Sequence, residues 1–428
     1  MNYKELTRQI KLDSYKMACL PAETRNLALM NIQTALLSNK DAIFAANQQD
    51  LANAKANQES IPIMNRLIFD QHKLDGIADG ISSLISLSDP LFNKQLVREL
   101  DQGLVLHKET CPIGVIGVIF ESRPDALIQI STLCIKSGNC SILKGGKEAA
   151  HTNKVLFDVI YEAGIASGLP QGFMTLVENR AAIDELIKCD DSIDLLIPRG
   201  SNEFVQYIMA NSKIPVMGHA DGVCHVYIDQ TGDLDKALPI IMDSKAQYVT
   251  ACNTLETLLV HRDMAHELLP ALQNSSYAGN VELRGCPETM KIIQCIPATE
   301  EDFRTEYLDY ILTVKIVDSL EEAIDHINKY GSHHTDCIVT EDPGKADQFM
   351  TLVDSANVYQ NCSTRFADGY RYGFGAEVGI STGKLHARGP VGLEGLVTYK
   401  YKLFGNGHIV ADYVEGRKNF HFVDKTKP

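Results

Sequence analysis

From Cys111 onward the chain alternates short runs of apolar, β-favouring residues with amphipathic helical stretches. Gly114–Phe120, Cys140–Leu143, Phe173–Val177, Ile193–Ile197 and Ile214–Met217 read as strands. Asp125–Ser137, Glu148–Ser167, Ala181–Lys188 and Asn202–Asn211 read as the helices between them. Few folds satisfy that pattern. Consecutive parallel strands need crossover connections, the crossovers are right-handed, and helices then cover both faces of the sheet. A ligand of such a doubly wound sheet lies at the carboxyl ends of its strands. A second alternating unit follows Asp233. Its strands fall near Leu255–Val260, Ile311–Val317 and Cys337–Val339, and its helices near Met264–Gln273 and Leu320–Lys329.

The segments outside these units are of different kinds. Residues 1–95 read as helical: Leu29, Ile32, Leu36 and Ile43 recur at the spacing of one helical face, and Pro21 fits the start of that helix. Gln95–Cys111 alternates polar and apolar residues around Gly103, the pattern of a protruding hairpin. The tail carries Tyr399, Tyr401, Phe404, Phe420 and Phe422 among polar neighbours. The chain has 428 residues, and at about 100–200 residues per domain two or three domains are expected.

Composition excludes several functions. The net charge of −15 opposes nucleic-acid binding and polybasic membrane attachment. An anionic ligand therefore needs a local cluster of Arg and Lys acting against the global field. The longest apolar run, Cys111–Phe120, is too short for a membrane helix, which needs about 20 residues. The N-terminus lacks the apolar core of a signal peptide. The 11 cysteines form no CxxC pair, so free thiols in a reducing compartment, the cytoplasm, are expected.

Two glycine motifs fail on inspection. Gly373, Gly375 and Gly379 give GxGxxxG without a preceding strand, and Gly379–Lys384 is one residue short of a Walker A loop. The adjacent His333 and His334 lack a third ligand at helical spacing, and no metal is expected. Cys252, in AQYVTACNTLE, is different. It stands where a helix-like run ends and a strand begins, a junction that exposes a thiol at a domain edge, and the thiolate is the strongest nucleophile near neutral pH.

Four blocks and a long C-terminal stretch resemble the aldehyde dehydrogenase superfamily. They are CPIGVIGVIFESRPDALIQ (111–129), the pair SILKGGKEA and LLIPRGSNEFV, the pair GVCHVYID and TACNTLETLLVH, VDSLEEAIDHINKYGSHHTDCI (317–338) and FADGYRYGFGAEVGISTGKLHARGPVGLEGL. Within the superfamily they look like the branch that reduces γ-glutamyl phosphate. The resemblance runs from about residue 10 to 415. It implies an aldehyde dehydrogenase-like α/β fold. Residues 1–96 and 114–232 would form a doubly wound nucleotide-binding domain, and 233–395 a second α/β catalytic domain. Residues 97–113 and 396–428 would form a small oligomerisation arm and tail.

The same resemblance assigns roles. Cys252 matches the nucleophile. Lys144, at a strand end before Gly145 and Gly146, matches the lysine on the adenosine ribose. Lys147 replaces an acid of NAD-preferring relatives, and a cation there suits the 2′-phosphate of NADPH. Arg199, Gly200 and Ser201 open a helix whose backbone donors favour a pyrophosphate. Glu306 matches the carboxylate on the nicotinamide ribose. Met217 aligns with the glutamate that activates water in oxidising relatives, and without that base hydrolysis of a thioester is slow. Ser122 stands where relatives carry an oxyanion-binding Asn, which leaves the oxyanion to the Cys252 N–H and a nearby donor. Arg123, Asn253, Arg365 and Arg388 are candidates for the substrate, with Arg371 and Lys384 as further cations.

The implied reaction is NADPH-dependent reduction of L-glutamyl 5-phosphate to L-glutamate 5-semialdehyde and phosphate, a step of proline biosynthesis. The implied partners are a second copy of the chain and, transiently, a glutamate 5-kinase on a separate chain. Three alternatives stand beside this reading. The first is a hydrolytic or CoA-dependent relative of the same fold. The second is a cysteine hydrolase using His219 or His225 as base. The third is a non-catalytic scaffold.

Overall fold

The computed structural model describes residues 2–179, 182–218, 221–275, 280–374 and 377–426. Ala181, His219 and Gly375 lie outside them. The N-terminal region is helical, with Tyr3–Ala18, Ala22–Ser38, Lys40–Ala56, Ile61–Leu67 and Gln71–Ser86. Leu29, Ile32, Leu36 and Ile43 are all buried in one core with Val115 and Val118. The single helical face expected from their spacing is divided between two helices. The break falls at Asn39, whose backbone N–H and side-chain amide both donate to the Ala35 carbonyl. Ile43 therefore enters the core from the following helix.

Two antiparallel strands come next, β1 (Lys94–Asp101) and β2 (Leu104–Pro112). Gly103 turns between them at φ 77°, a conformation that favours glycine. The first parallel sheet follows, from β3 (Val115–Phe120), β4 (Cys140–Lys144), β5 (Met174–Leu176) and β6 (Leu195–Arg199), in the order β5-β4-β3-β6. Its central strands β3 and β4 are buried on both faces, as crossover helices require. The N-terminal helices supply part of that cover. The expected strand at Ile214–Met217 is reduced to one parallel bridge, Leu196 to Val216. Pro198 and Pro215 each lack the N–H needed to extend the ladder.

The second sheet is larger and parallel throughout. It comprises β7 (Cys224–Ile228), β8 (Leu255–His261), β9 (Glu282–Gly285), β10 (Ile296–Pro297), β11 (Ile311–Val317), β12 (Thr335–Val339) and β13 (Asn357–Gln360). Their order is β10-β9-β11-β8-β7-β12-β13. The stretch 224–228, which sequence grouped with the first unit, pairs here with β8 and β12. The physical reason is packing: Val226 and Ile228 share a core with Leu258 and Val260. Alternation reveals a strand but not which sheet it joins.

A short hairpin, β14 (Gly379–Ser381) and β15 (Gly389–Val391), precedes the tail. The tail strands β16 (Val397–Phe404) and β17 (Val423–Asp424) flank the earlier hairpin in an antiparallel sheet, β16-β2-β1-β17. Segments nearly 300 residues apart thus build one arm, with Lys402 paired to Glu109 across it. Among the described residues no helix is long and apolar enough to cross a membrane.

Candidate active site

Cys252 sits in the loop between the helix Leu234–Ala246 and β8. Three contacts fold the loop tightly: Ala251 N–H to the Tyr248 carbonyl (3.3 Å), Thr254 N–H to the Ala251 carbonyl (3.0 Å) and the Thr254 hydroxyl to the Tyr248 carbonyl (2.8 Å). The segment leading into β7 presses on this loop. A Cβ built on Gly222 would stand 1.9 Å from the Cys252 carbonyl oxygen, so only glycine fits. The Cys224 thiol donates to the same oxygen at 3.3 Å. Asn253, 4 % exposed, donates its amide to the Ala367 carbonyl at 2.9 Å, which ties the loop to the C-terminal stretch.

The half-buried position of Cys252 separates it from several other cysteines. Burial pushes the Cys134 thiol up to about 12 and those of Cys140, Cys224 and Cys337 far above the usual range. Groups held as thiols are poor nucleophiles.

Cations converge on Cys252 from both units. Arg199 ends β6. Burial and then the Arg123 charge lower its pKa, while Glu377, Asp125 and Cys252 act in the opposite sense. Arg365 is shifted the same way by burial and by Arg371, with Cys252 again opposing. Arg199 and Arg365 thus both lie within electrostatic reach of the Cys252 sulfur. Arg365 donates Nε to Gln247 at 3.0 Å, and Arg371 donates to the Arg365 carbonyl at 2.9 Å. Arg123 precedes the helix Pro124–Lys136 and is exposed. The carboxyl edge of the first sheet therefore meets the amino edge of the second, and Cys252 stands where they meet.

The edge of β3 is held in an unusual backbone conformation. Ser122 has φ 47°, uncommon for a residue with a side chain. Its N–H and hydroxyl both donate to Glu148 Oε1, at 2.6 and 2.8 Å. That engages the proton an oxyanion donor would need, so Ser122 anchors the loop instead. The Cys252 N–H remains the oxyanion donor of the sequence reading.

Lys144, at the end of β4, is buried and donates to the Gly145 carbonyl. A Cβ on Gly145 would meet the Asn153 amide at 2.3 Å, and one on Gly146 the Glu148 carboxylate at 1.9 Å. Lys147 follows on a short 3-10 turn and is exposed. Gly200 approaches Glu121 closely, and Ser201 is the N-cap of Asn202–Asn211 without a side-chain cap bond. That leaves backbone donors at the helix start available to an anion.

Other predicted residues lie differently. Arg388 donates to the Asp354 carbonyl and carboxylate, at 3.2 and 3.1 Å, and Lys384 pairs with the same carboxylate at 2.7 Å. These two cations serve Asp354 rather than meeting at Cys252. Glu306 is half-buried and acts electrostatically on Glu256. His225 is fully buried with Nδ1 2.9 Å from Asp336, an arrangement unlike a base turned to Cys252. His333 contacts the Asp354 carbonyl and His334 the Thr335 hydroxyl, so the adjacent pair diverges. Sequence reading missed Gly222, Cys224 and Glu148. Gly222 alone left a trace, as a glycine just before a β-rich block.

The chain matches the aldehyde dehydrogenase family model over residues 11–289. It is 58 % identical to the γ-glutamyl phosphate reductase of Acetivibrio thermocellus, over 98 % of this chain and 97 % of that one. It is 50 % identical to that of Brachyspira hyodysenteriae, covering 98 % and 99 %. Among solved structures, the γ-glutamyl phosphate reductase of Thermotoga maritima superposes with a TM-score of 0.93 at 35 % identity, covering 96 % of this chain and 100 % of that one. An acetylating aldehyde dehydrogenase of Geobacillus thermoglucosidasius shares the fold, with a TM-score of 0.64 at 17 % identity over 95 % and 96 % of the two chains.

The cation cluster has a direct test. Arg199→Leu or Arg365→Leu is expected to slow alkylation of Cys252 by iodoacetamide at pH 7 severalfold, because each guanidinium acts electrostatically on the sulfur. Peptide mass spectrometry reads the rate, and an unchanged rate in both variants would remove the arginines from the surroundings of Cys252.

Proposed function

The chain belongs to the aldehyde dehydrogenase family and, within it, to the γ-glutamyl phosphate reductases, and we propose that it reduces L-glutamyl 5-phosphate with NADPH through a thioester on Cys252. The family's enzymes are oxidoreductases that use a nicotinamide cofactor. The observation that carries the proposal is the seat of Cys252: half-buried, pinned by Gly222 and within electrostatic reach of Arg199 and Arg365.

In the proposed reaction the Cys252 thiolate attacks the acyl carbon and phosphate departs. The cationic surroundings favour the leaving anion. The Cys252 N–H and the nearby guanidinium groups stabilise the oxyanion of the tetrahedral intermediate. NADPH, when bound, supplies the hydride that reduces the thioester. Collapse of the resulting hemithioacetal regenerates the Cys252 thiolate and releases L-glutamate 5-semialdehyde, which cyclises spontaneously. Met217 has no group able to activate water and is 5 % exposed, which favours reduction over hydrolysis.

The residues present fit the cofactor. Gly145 and Gly146 have no room for a Cβ, the helix start at Ser201 offers backbone donors, and Lys144 stands at the strand end. Lys147 would meet the 2′-phosphate and Glu306 the nicotinamide ribose. Arg123, Arg365 and Asn253 form the substrate set, whereas Arg388 would act through Asp354. We read the arm as a contact with a second copy, because the edge strand β16 exposes Tyr399, Tyr401, Leu403 and Phe404. A kinase that delivers the acyl phosphate in the cytoplasm would be a transient partner.

Run in reverse, the reaction should reduce more than one NADP per site only when both the semialdehyde and inorganic phosphate are present. Sustained NADP reduction without phosphate, beyond one equivalent per site, would sink the acyl-phosphate reading. Lys147→Glu is expected to raise KM for NADPH by about 10–100-fold, as loss of a charge-assisted contact of roughly 1.5–3 kcal/mol implies, and to spare NADH. Equal KM values for NADPH in variant and wild type would remove Lys147 from the cofactor site.

A further inference from the structure

Lys245 lies in the last turn of the helix that leads into the Cys252 loop, and Glu256 is the second residue of β8 that leads out of it. Their side chains meet at 2.6 Å, with 2 % and 0 % exposed. The pair thus closes the base of the loop that carries the nucleophile. The Lys245 ammonium also stands 5.8 Å from the Tyr307 ring centroid. Tyr307 is fixed in turn by its hydroxyl, 2.7 Å from Asp302 Oδ1 and 2.6 Å from Thr313 Oγ1. Its neighbour Glu306 acts electrostatically on Glu256. One buried pair therefore touches both the loop of Cys252 and the loop of Glu306.

We propose that the Lys245–Glu256 ion pair is a positioning element that holds the Cys252 loop in register with the Glu306–Tyr307 loop. The inference rests on Cys252 as nucleophile and Glu306 as the carboxylate nearest the cofactor ribose. Stability is a poor reason to keep such a pair. Taking two charges out of water costs as much as their attraction returns, and an apolar pair of similar volume often stabilises a fold at least as well. Burial pushes the Glu256 carboxyl up and the Lys245 ammonium below its ordinary value, each partly offset by the other's charge. Glu256 Oε1 finds no hydrogen-bond partner among the described residues. What the pair adds over two apolar chains is direction. A 2.6 Å charge-assisted contact fixes distance and angle where dispersion alone tolerates sliding.

The test is the double variant Lys245→Met/Glu256→Met in the full chain, which conserves volume. The melting temperature is expected at or above wild type. In the phosphate-dependent reverse reaction kcat should fall by about tenfold or more, since small misplacements of reacting groups are costly, while KM for the semialdehyde stays within about twofold. The rate of Cys252 alkylation by iodoacetamide should change by about threefold or more in the absence of any substrate. Wild-type kcat and alkylation rate in a folded double variant would overturn the proposal. So would an unfolded one, because the pair would then be holding the fold. A wild type without phosphate-dependent turnover would sink the proposed reaction instead, and the alkylation rates would still report on the loop.

Discussion

The site depends on one backbone contact, the approach of Gly222 to the Cys252 loop. No side chain fits there, since even a Cβ would stand 1.9 Å from the Cys252 carbonyl oxygen. The contact joins the segments that lead into β7 and β8, which are neighbours in the parallel sheet. Sheet register therefore sets the position of Cys252. Burial of Val226, Ile228, Leu258 and Val260 in one core fixes that register. The hydrophobic core of the second unit thus sets where a half-buried sulfur can stand.

Charge organises what faces that sulfur. The chain carries −15 overall, yet Arg199, Arg365, Arg123 and Arg371 gather at the meeting of the two sheets. Glu377, Asp125 and Asp368 keep the cluster from being purely cationic. Such a set gives anions a place to bind without turning the whole surface basic. The first sheet contributes by its carboxyl edge, as the rule for doubly wound sheets requires, whereas the second contributes by its amino edge. The rule applied to one sheet alone would have missed half of the site.

Much of the fold was legible in sequence. The strands at 140–143 and 311–317 and the helix Asn202–Asn211 follow directly from periodicity, since their apolar residues repeat without interruption. Less legible was anything set by contacts distant in sequence. The sheet to which 224–228 belongs, the division of the N-terminal face at Asn39 and the single bridge at Val216 all depend on partners far along the chain or on one residue's hydrogen bonds. Within the site, Cys252 was readable from its junction and its motif. Ser122 and Arg388 were not, because the carboxylates that engage them, Glu148 and Asp354, cannot be inferred from spacing.

The proposed chemistry turns on the thioester. The most direct measurement mixes the enzyme with NADP and L-glutamate 5-semialdehyde in the absence of phosphate, quenches with acid, and weighs the peptides. Without phosphate to discharge it, a γ-glutamyl group is predicted to remain on the peptide that carries Cys252. Phosphate added before the quench is predicted to remove it. Turnover with that peptide unmodified, or the acyl group on another cysteine, would contradict the account.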